Sequence, residues 1–374
     1  MQFAPTAVKA NQLRGTVVAV QANFYRVLLD TNKNQFAISS GDFNCNYLLC
    51  TRRTRLKKIG QKVMVGDRVM IEEPDWQDGR GAIAEVLARN TELQRPPIAN
   101  AEIILLVFAL EEPTLDPWQL SRFLIKAEST KLQVCLCLNK CDLISQEKQQ
   151  QWQQRVESWG YNPIFVSAIH NQGIEALQAR LRGKIAVVAG PSGVGKSSLI
   201  NQLIPSVNLR VKKVSGKLQR GRHTTRHVEL FNLPGGGLLA DSPGFNQPDL
   251  DFDPADLAGY FPEARSRLNQ DSCQFSNCSH RDEPNCVVRG DWERYEYYRV
   301  FWSKALANQK VQQNTPTQES SLKLKVKKSG KNQYEPKLAS KKYRRPSRRE
   351  KQQNLQQLYC DRQIANTYEE TEDL

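Results

Sequence analysis

Residues Gly190-Pro191-Ser192-Gly193-Val194-Gly195-Lys196-Ser197-Ser198 place three glycines, a lysine and hydroxyls at the spacing that wraps a phosphate chain. Glycine lets successive backbone N–H groups turn inward around phosphate oxygens. Lys196 then reaches the β- and γ-phosphates, and the Ser197 hydroxyl suits a Mg2+ ligand. The elements that must present this loop are legible on either side. Ile185-Ala186-Val187-Val188-Ala189 is an apolar run suited to a buried parallel strand. Ser198-Leu199-Ile200-Asn201 opens a helix whose N-terminal dipole faces the anion.

A second constellation selects the base. Asn139-Lys140-Cys141-Asp142 follows the apolar strand Val134-Cys135-Leu136-Cys137-Leu138, so it sits at a strand's carboxyl end, where open α/β sheets bind ligands. The Asp142 carboxylate can accept two N–H bonds from the N1 and 2-amino group of guanine. Adenine offers neither donor, and the unpaired carboxylate supports discrimination on the order of 10⁴-fold. Ser167-Ala168, after Pro163-Ile164-Phe165-Val166, fits a companion loop that backs the base with a main-chain N–H. Asp241-Ser242-Pro243-Gly244 follows the short strand Gly237-Leu238-Leu239-Ala240. There Asp241 holds Mg2+ through water and the Gly244 N–H senses the γ-phosphate. In an ordinary GTPase the base-reading motif comes after the P-loop. Here it comes before, so the parts of a GTPase stand in permuted order.

Gly221-Arg222-His223-Thr224-Thr225 lies between the P-loop and Asp241, where a switch threonine belongs. Either Thr224 or Thr225 can supply the Mg2+ ligand. Together with the permuted order, the Asp-Ser-Pro-Gly motif and a cysteine cluster, this segment resembles the circularly permuted, ribosome small-subunit-dependent GTPases, over roughly residues 10–305. Arg226 stands where that family often has a third threonine, and Ser242 where it often has threonine. The resemblance implies action on the small ribosomal subunit at a late maturation step, hydrolysis of GTP to GDP stimulated by the ribosome, and release coupled to hydrolysis. Phe245 occupies the place of the usual water-orienting glutamine, and a phenyl ring cannot orient water. His223 is the candidate catalytic group instead, because imidazole can orient or deprotonate water near neutral pH. A histidine that only hydrogen-bonds within the switch is the alternative; the resemblance favours catalysis.

The nine cysteines do not form a disulfide pattern: the count is odd, and Cys135, Cys137 and Cys141 crowd one strand. Met1 to Asn11 lacks an apolar signal segment and no run is long enough to span a bilayer, so a reducing cytoplasm, without membrane attachment, is expected. Cys273, Cys278, His280 and Cys286 are different. Three thiolates and an imidazole within fourteen residues can close a tetrahedral structural zinc site, one Zn2+ per chain. The intervening Asp271, Asn277, Asp282, Pro284 and Asn285 are turn formers with little core of their own.

The expected architecture is multidomain. Residues 1–90 carry five short strand signals and form an OB-like β-barrel, a fold that often binds nucleic acid. Residues 91–248 form the circularly permuted α/β P-loop GTPase domain, and 249–308 a mostly helical zinc-binding module. Residues 309–374 form a basic tail, disordered on its own. Of the net charge of +14, the stretch 321–351 supplies 13 Lys/Arg against 2 Asp/Glu. That tail, and Arg52-Arg53-Thr54-Arg55-Leu56-Lys57-Lys58 in the barrel, point to ribosomal RNA as the partner. A monomer is expected. A P-loop ATPase or kinase is disfavoured by Asn139 to Asp142, and a decayed, purely RNA-binding protein by the intact P-loop and Asp241.

Overall fold

The computed structural model describes residues 13–30, 46–205, 228–241, 252–314, 322–326 and 332–336. His223, Thr224, Thr225 and Gly244, with Phe245 and most of the tail, lie outside the described residues.

Strands β1 (Leu13–Gln21), β2 (Phe24–Leu29), β3 (Tyr47–Arg52), β4 (Arg68–Asp75) and β5 (Arg80–Val86) close into a barrel in the order β1-β2-β3-β5-β4. Their alternation is the cause. Val17, Tyr25, Val27, Leu48, Cys50, Val69, Ile71 and Ile83 point inward and form its core, while their neighbours face out. A short helix, α1 (Thr54–Lys58), carries most of the basic run and seals one end with Leu56. Arg52 donates to the Gln61 carbonyl at 2.9 Å, and Arg53 pairs with Glu72 and Glu73. Arg55, Lys57 and Lys58 remain exposed. The basic run is therefore narrower as an anion surface than its composition suggests.

After a small hairpin, β6 (Glu92–Gln94) and β7 (Pro97–Ala99), comes an alternating α/β segment. It runs β8 (Ile103–Ala109), α2 (Pro117–Glu128), β9 (Gln133–Asn139), α3 (Gln146–Ser158), β10 (Ile164–Val166), α4 (Ile174–Leu181), β11 (Ile185–Ala189), α5 (Lys196–Leu203), β12 (Leu230–Asn232) and β13 (Leu238–Asp241). The sheet order is β10-β9-β8-β11-β13-β12, parallel except for β12. Every residue of β8 is buried, as a central strand covered on both faces requires. Helix starts are set locally. The Asp116 carboxylate accepts from the Trp118 and Gln119 N–H groups, and the Ser145 hydroxyl from the Lys148 N–H.

The helices α6 (Pro262–Gln270) and α7 (Tyr295–Asn314) frame an irregular loop that carries the cysteine cluster. They pack Leu257, Phe261, Trp292, Tyr298 and Phe301 against Ile125 of α2. Beyond Lys310 the chain forms a separate unit. Within it, β14 (Leu322–Val326) and β15 (Asn332–Pro336) pair antiparallel, with Lys323 opposite Glu335 and Leu324 opposite Tyr334. No helix among the described residues is long and apolar enough to cross a membrane.

A buried ion pair within the C-terminal module holds the arginine that meets the sheet domain at Trp159. The Arg294 guanidinium is fully buried, grips the Glu263 carboxylate and donates toward the Trp159 carbonyl. Its Cζ lies 4.8 Å from the centre of the Trp159 ring and 5.0 Å from that of Phe261. Stranding a buried charge costs about 3–5 kcal/mol. Glu263→Ala is therefore expected to lower unfolding stability by about 3–5 kcal/mol in urea titration. A loss below about 1 kcal/mol would mean that water solvates the guanidinium once its partner is gone.

Candidate functional site

The carboxyl ends of β9, β10, β11 and β13 lie on one edge of the parallel sheet, and each delivers one of the motifs. Gly190 leaves β11 at φ +140°, where a Cβ would meet the Val107 carbonyl oxygen at 2.1 Å. Gly195 stands at φ +91°, where a Cβ would fall 2.5 Å from the Asn139 amide nitrogen. Glycine is required at both places by lack of room as well as by backbone angle. Gly195 is also the N-cap of α5, so the next residues Lys196, Ser197 and Ser198 begin the helix with its free N–H groups toward the loop.

Asn139 does work that its motif does not announce. Its side chain is almost wholly buried. The amide nitrogen donates to the Val194 carbonyl at 2.8 Å, and the amide oxygen accepts from the Ala168 N–H at 3.4 Å. One amide thus joins the base-reading loop, the P-loop and the base-backing loop. Lys140, in the left-handed region at φ 59°, sends its ammonium to the Glu112 carbonyl. That fixes the loop after β8 beside Gly193, whose Cβ would stand 3.8 Å from Pro113. Cys141 is buried, and its carbonyl accepts from the Gln149 amide of α3 at 2.9 Å. Asp142 follows, with the His170 imidazole 3.9 Å from its carboxylate. Ser167 is buried, and its hydroxyl accepts from the His170 N–H at 3.2 Å.

The Lys196 ammonium folds back onto its own loop, donating to the Gly190 and Pro191 carbonyls at 2.9 and 2.6 Å. Burial lowers its pKa, and the nearby Asp241 carboxylate works against that. Burial raises the Asp241 carboxyl, and Lys196 pulls it back. Each charge is thus half-buried, and each offsets part of the other's burial. A carboxylate disfavoured by burial gains most from a nearby cation. With the Ser197 hydroxyl at the helix start, this is a donor set of hard oxygens suited to Mg2+.

The second cluster is equally compact. The ligand atoms of Cys273, Cys278, His280 and Cys286 all lie within 4.8 Å of one another. Cys273 Sγ is 3.4 Å from His280 Nδ1 and 3.9 Å from Cys286 Sγ, and Cys286 Sγ is 3.5 Å from the same nitrogen. Around a tetrahedral Zn2+ the edges between such ligands come to roughly 3.5–3.8 Å, so the donor set is compatible with zinc. Burial, reinforced by the neighbouring thiols, pushes the Cys278 thiol up to about 12. Without a cation the Cys278 thiol keeps its proton, and the cluster has only weak hydrogen bonds to hold it. Burial lowers the His280 imidazole, with Glu283 opposing, which favours the neutral form that ligates metal.

Sequence reasoning missed the groups that brace this loop. Burial works against the charge of Glu283, but bonds from the Ser279 hydroxyl and from the Ser279 and Arg281 N–H groups hold its carboxyl well below the usual range. Tyr295 donates to the His280 and Arg281 carbonyls, and Tyr298 to that of Ser279. A carboxylate three residues beyond a ligand histidine was the available signal.

Comparison with known proteins follows the same geometry. Residues 86–251 match the family model described as RsgA GTPase. The chain is 62% identical over 359 residues to the small ribosomal subunit biogenesis GTPase RsgA 1 of Nostoc sp., covering 93% of this chain and 97% of that one. It is 52% identical to the corresponding Synechocystis protein, over 96% and 98% of the two chains. Among solved structures, YjeQ from Thermotoga maritima superposes with a TM-score of 0.65 at 31% identity, over 79% of this chain and 99% of that one. YloQ, a circularly permuted GTPase, gives 0.65 at 28% identity, over 82% and 99%.

The Asn139 amide carries a testable weight. A buried hydrogen bond lost with its partner stranded costs about 1–3 kcal/mol. Asn139→Ala is expected to weaken guanine-nucleotide binding by roughly 10- to 100-fold in calorimetry. Unchanged affinity would show that the three loops are aligned by other contacts.

Proposed function

The chain belongs to the RsgA GTPase family, and on that premise we propose that it binds the small ribosomal subunit and hydrolyses GTP during a late step of that subunit's maturation. The observation that carries the reading is the meeting of Asn139, Val194 and Ala168, which puts the base-reading and phosphate-wrapping loops on one sheet edge. Guanine is read by Asp142 and backed by the loop of Ser167 and Ala168. The phosphates lie along Gly190 to Ser198. Lys196 exchanges the Gly190 and Pro191 carbonyls for phosphate oxygens, so its parked position keeps the ammonium paired until substrate arrives.

Ser197, Asp241 and either Thr224 or Thr225 hold Mg2+, with Gly244 toward the γ-phosphate. Bound there, Mg2+ neutralises charge developing on the β- and γ-phosphate oxygens. His223 positions or deprotonates the attacking water, because Phe245 cannot. Cys273, Cys278, His280 and Cys286 hold one structural Zn2+. Ribosomal RNA is met by the barrel, through Arg55, Lys57 and Lys58, and by the basic tail. The protein acts as a cytoplasmic monomer without membrane attachment. The four-part division at 1–90, 91–248, 249–308 and 309–374 follows these roles. Loss of the γ-phosphate acts through Asp241 to Gly244 on the segment that leads into the zinc module.

GTP turnover with and without purified small subunits is the direct test. Stimulation is expected, and its absence would remove the ribosome-dependent reading. In the same assay His223→Ala should keep GTP affinity yet lose about 10²–10⁴-fold of the stimulated single-turnover rate. An undiminished rate would take His223 out of the chemistry.

Elemental analysis should find about one zinc per chain. Because structural zinc supplies roughly 10–16 kcal/mol of apparent binding energy, Cys278→Ala should lose the metal and unfold the 271–294 loop. A protein without zinc, or a variant with an unaltered loop, would exclude the metal site.

A further inference from the structure

The barrel meets the nucleotide sheet at a short edge strand. β12 has three residues and a single sheet partner, β13, with Leu230 opposite Ala240 and Asn232 opposite Leu238. A two-stranded edge of this length has little stability of its own. Its other side is held by the barrel. β1 carries a bulge between Val17 and Ala19, and Ala19 forms an antiparallel bridge with Glu229. Bulges re-aim a strand locally, and this one turns β1 toward β12.

Side chains lock the same place. The Glu229 carboxylate lies 3.6 Å from the Arg26 guanidinium, which itself sits 4.3 Å from the centre of the Tyr47 ring. The Tyr47 hydroxyl accepts from the Asn232 amide at 2.6 Å. Beneath them Val18, flanked by Val20, Leu28 and Tyr47, shares one apolar core with Val228, Leu230 and Leu238. The ion pair is half-exposed, so its contribution is register more than strength. The hydroxyl–amide bond fixes the same register.

β13 ends at Asp241, the carboxylate set against Lys196. We propose that Arg26 and Tyr47 of the barrel are positioning residues for Asp241, holding it through β12 and β13. The inference rests on the reading of Asp241 as the Mg2+ carboxylate. It gives the barrel a second task beside RNA contact: a load on the barrel alters how the nucleotide site holds its cation.

The test uses the full chain with the double variant Arg26→Glu, Tyr47→Phe, and the charge exchange Arg26→Glu with Glu229→Arg. Two readouts are taken: amide hydrogen exchange in the nucleotide-free protein, and the gain in GDP affinity on adding Mg2+. In the double variant, exchange across 230–241 should rise about tenfold or more while β8 stays protected, which also shows that the protein is folded. The Mg2+-dependent gain in affinity should fall about threefold to tenfold, while the charge exchange, which re-forms the pair in reverse and keeps the Tyr47 hydroxyl, should stay near the parent in both. Unchanged exchange across 230–241 would overturn the proposal. So would raised exchange with an unaltered Mg2+ effect, provided that Asp241→Asn abolishes that effect. If Asp241→Asn leaves it intact, the magnesium reading falls, and the exchange result alone supports the barrel's hold on this carboxylate.

Discussion

The Asn139 side chain is the constraint on which the nucleotide site depends. Its amide is buried, so both ends must be bonded, and the only way to bond both is to bring two other loops to it. Gly195 is glycine because this amide passes where a Cβ would be. The distance between phosphate loop and base reader is thereby set by one rigid group at the end of a central strand. In a permuted chain this matters more than usual. The two loops are 55 residues apart in sequence at their bonded atoms, and covalent connection does nothing to align them.

The sheet is then gripped from both sides. At the α3 end, Arg294, Glu263 and the Trp159 carbonyl tie the C-terminal helices to the helix that follows the base reader. Glu293 adds a bond from the Trp159 indole N–H at 2.8 Å. The other end of α3 is fixed by Gln149 on the Cys141 carbonyl. At the opposite edge, the barrel covers β12 and removes an unpaired strand edge. Base-reading and cation-holding ends are thus each backed by a separate module. A displacement in either module reaches the sheet through packing alone, without a long moving arm.

What was legible in the sequence was whatever rests on local pattern. Each motif follows an apolar run, and those runs are β9, β10, β11 and β13. The strands of the barrel show themselves by alternation, and the sulfur cluster by spacing alone. What stayed hidden depends on partners far away in the chain. Arg52 and Arg53 count as free cations until Gln61, Glu72 and Glu73 are seen beside them. Arg294 looks like a surface residue of a charged segment, yet it is fully buried, because Glu263 lies 31 residues back and is placed by another helix. In the tail, net charge outweighs the period-two pattern of Leu322, Leu324 and Val326 against Lys323 and Lys325, which is the pattern of the strand that forms. His223, Thr224, Thr225 and Gly244 fall outside the described residues, so the chemistry of water attack rests on sequence.

The sulfur loop shows how a segment without a core can still be specified. Between residues 271 and 294 there is almost no buried apolar side chain apart from Val288 and Trp292. The loop is determined by polar closure: Glu283 takes the N–H groups of Ser279 and Arg281, and Tyr295 and Tyr298 take the outward carbonyls. These bonds orient the backbone at His280, which sits in the left-handed region at φ 58°. Each is worth only about 1 kcal/mol, so together they select a conformation without securing it. A cation held among the three thiols and the imidazole would supply the missing energy where the loop folds back on itself. Direction comes from the carboxylate and the tyrosines, and stability would come from a metal bound by the cluster. That division explains why the tyrosines belong to α7, a helix already anchored beside Arg294, rather than to the loop that they hold.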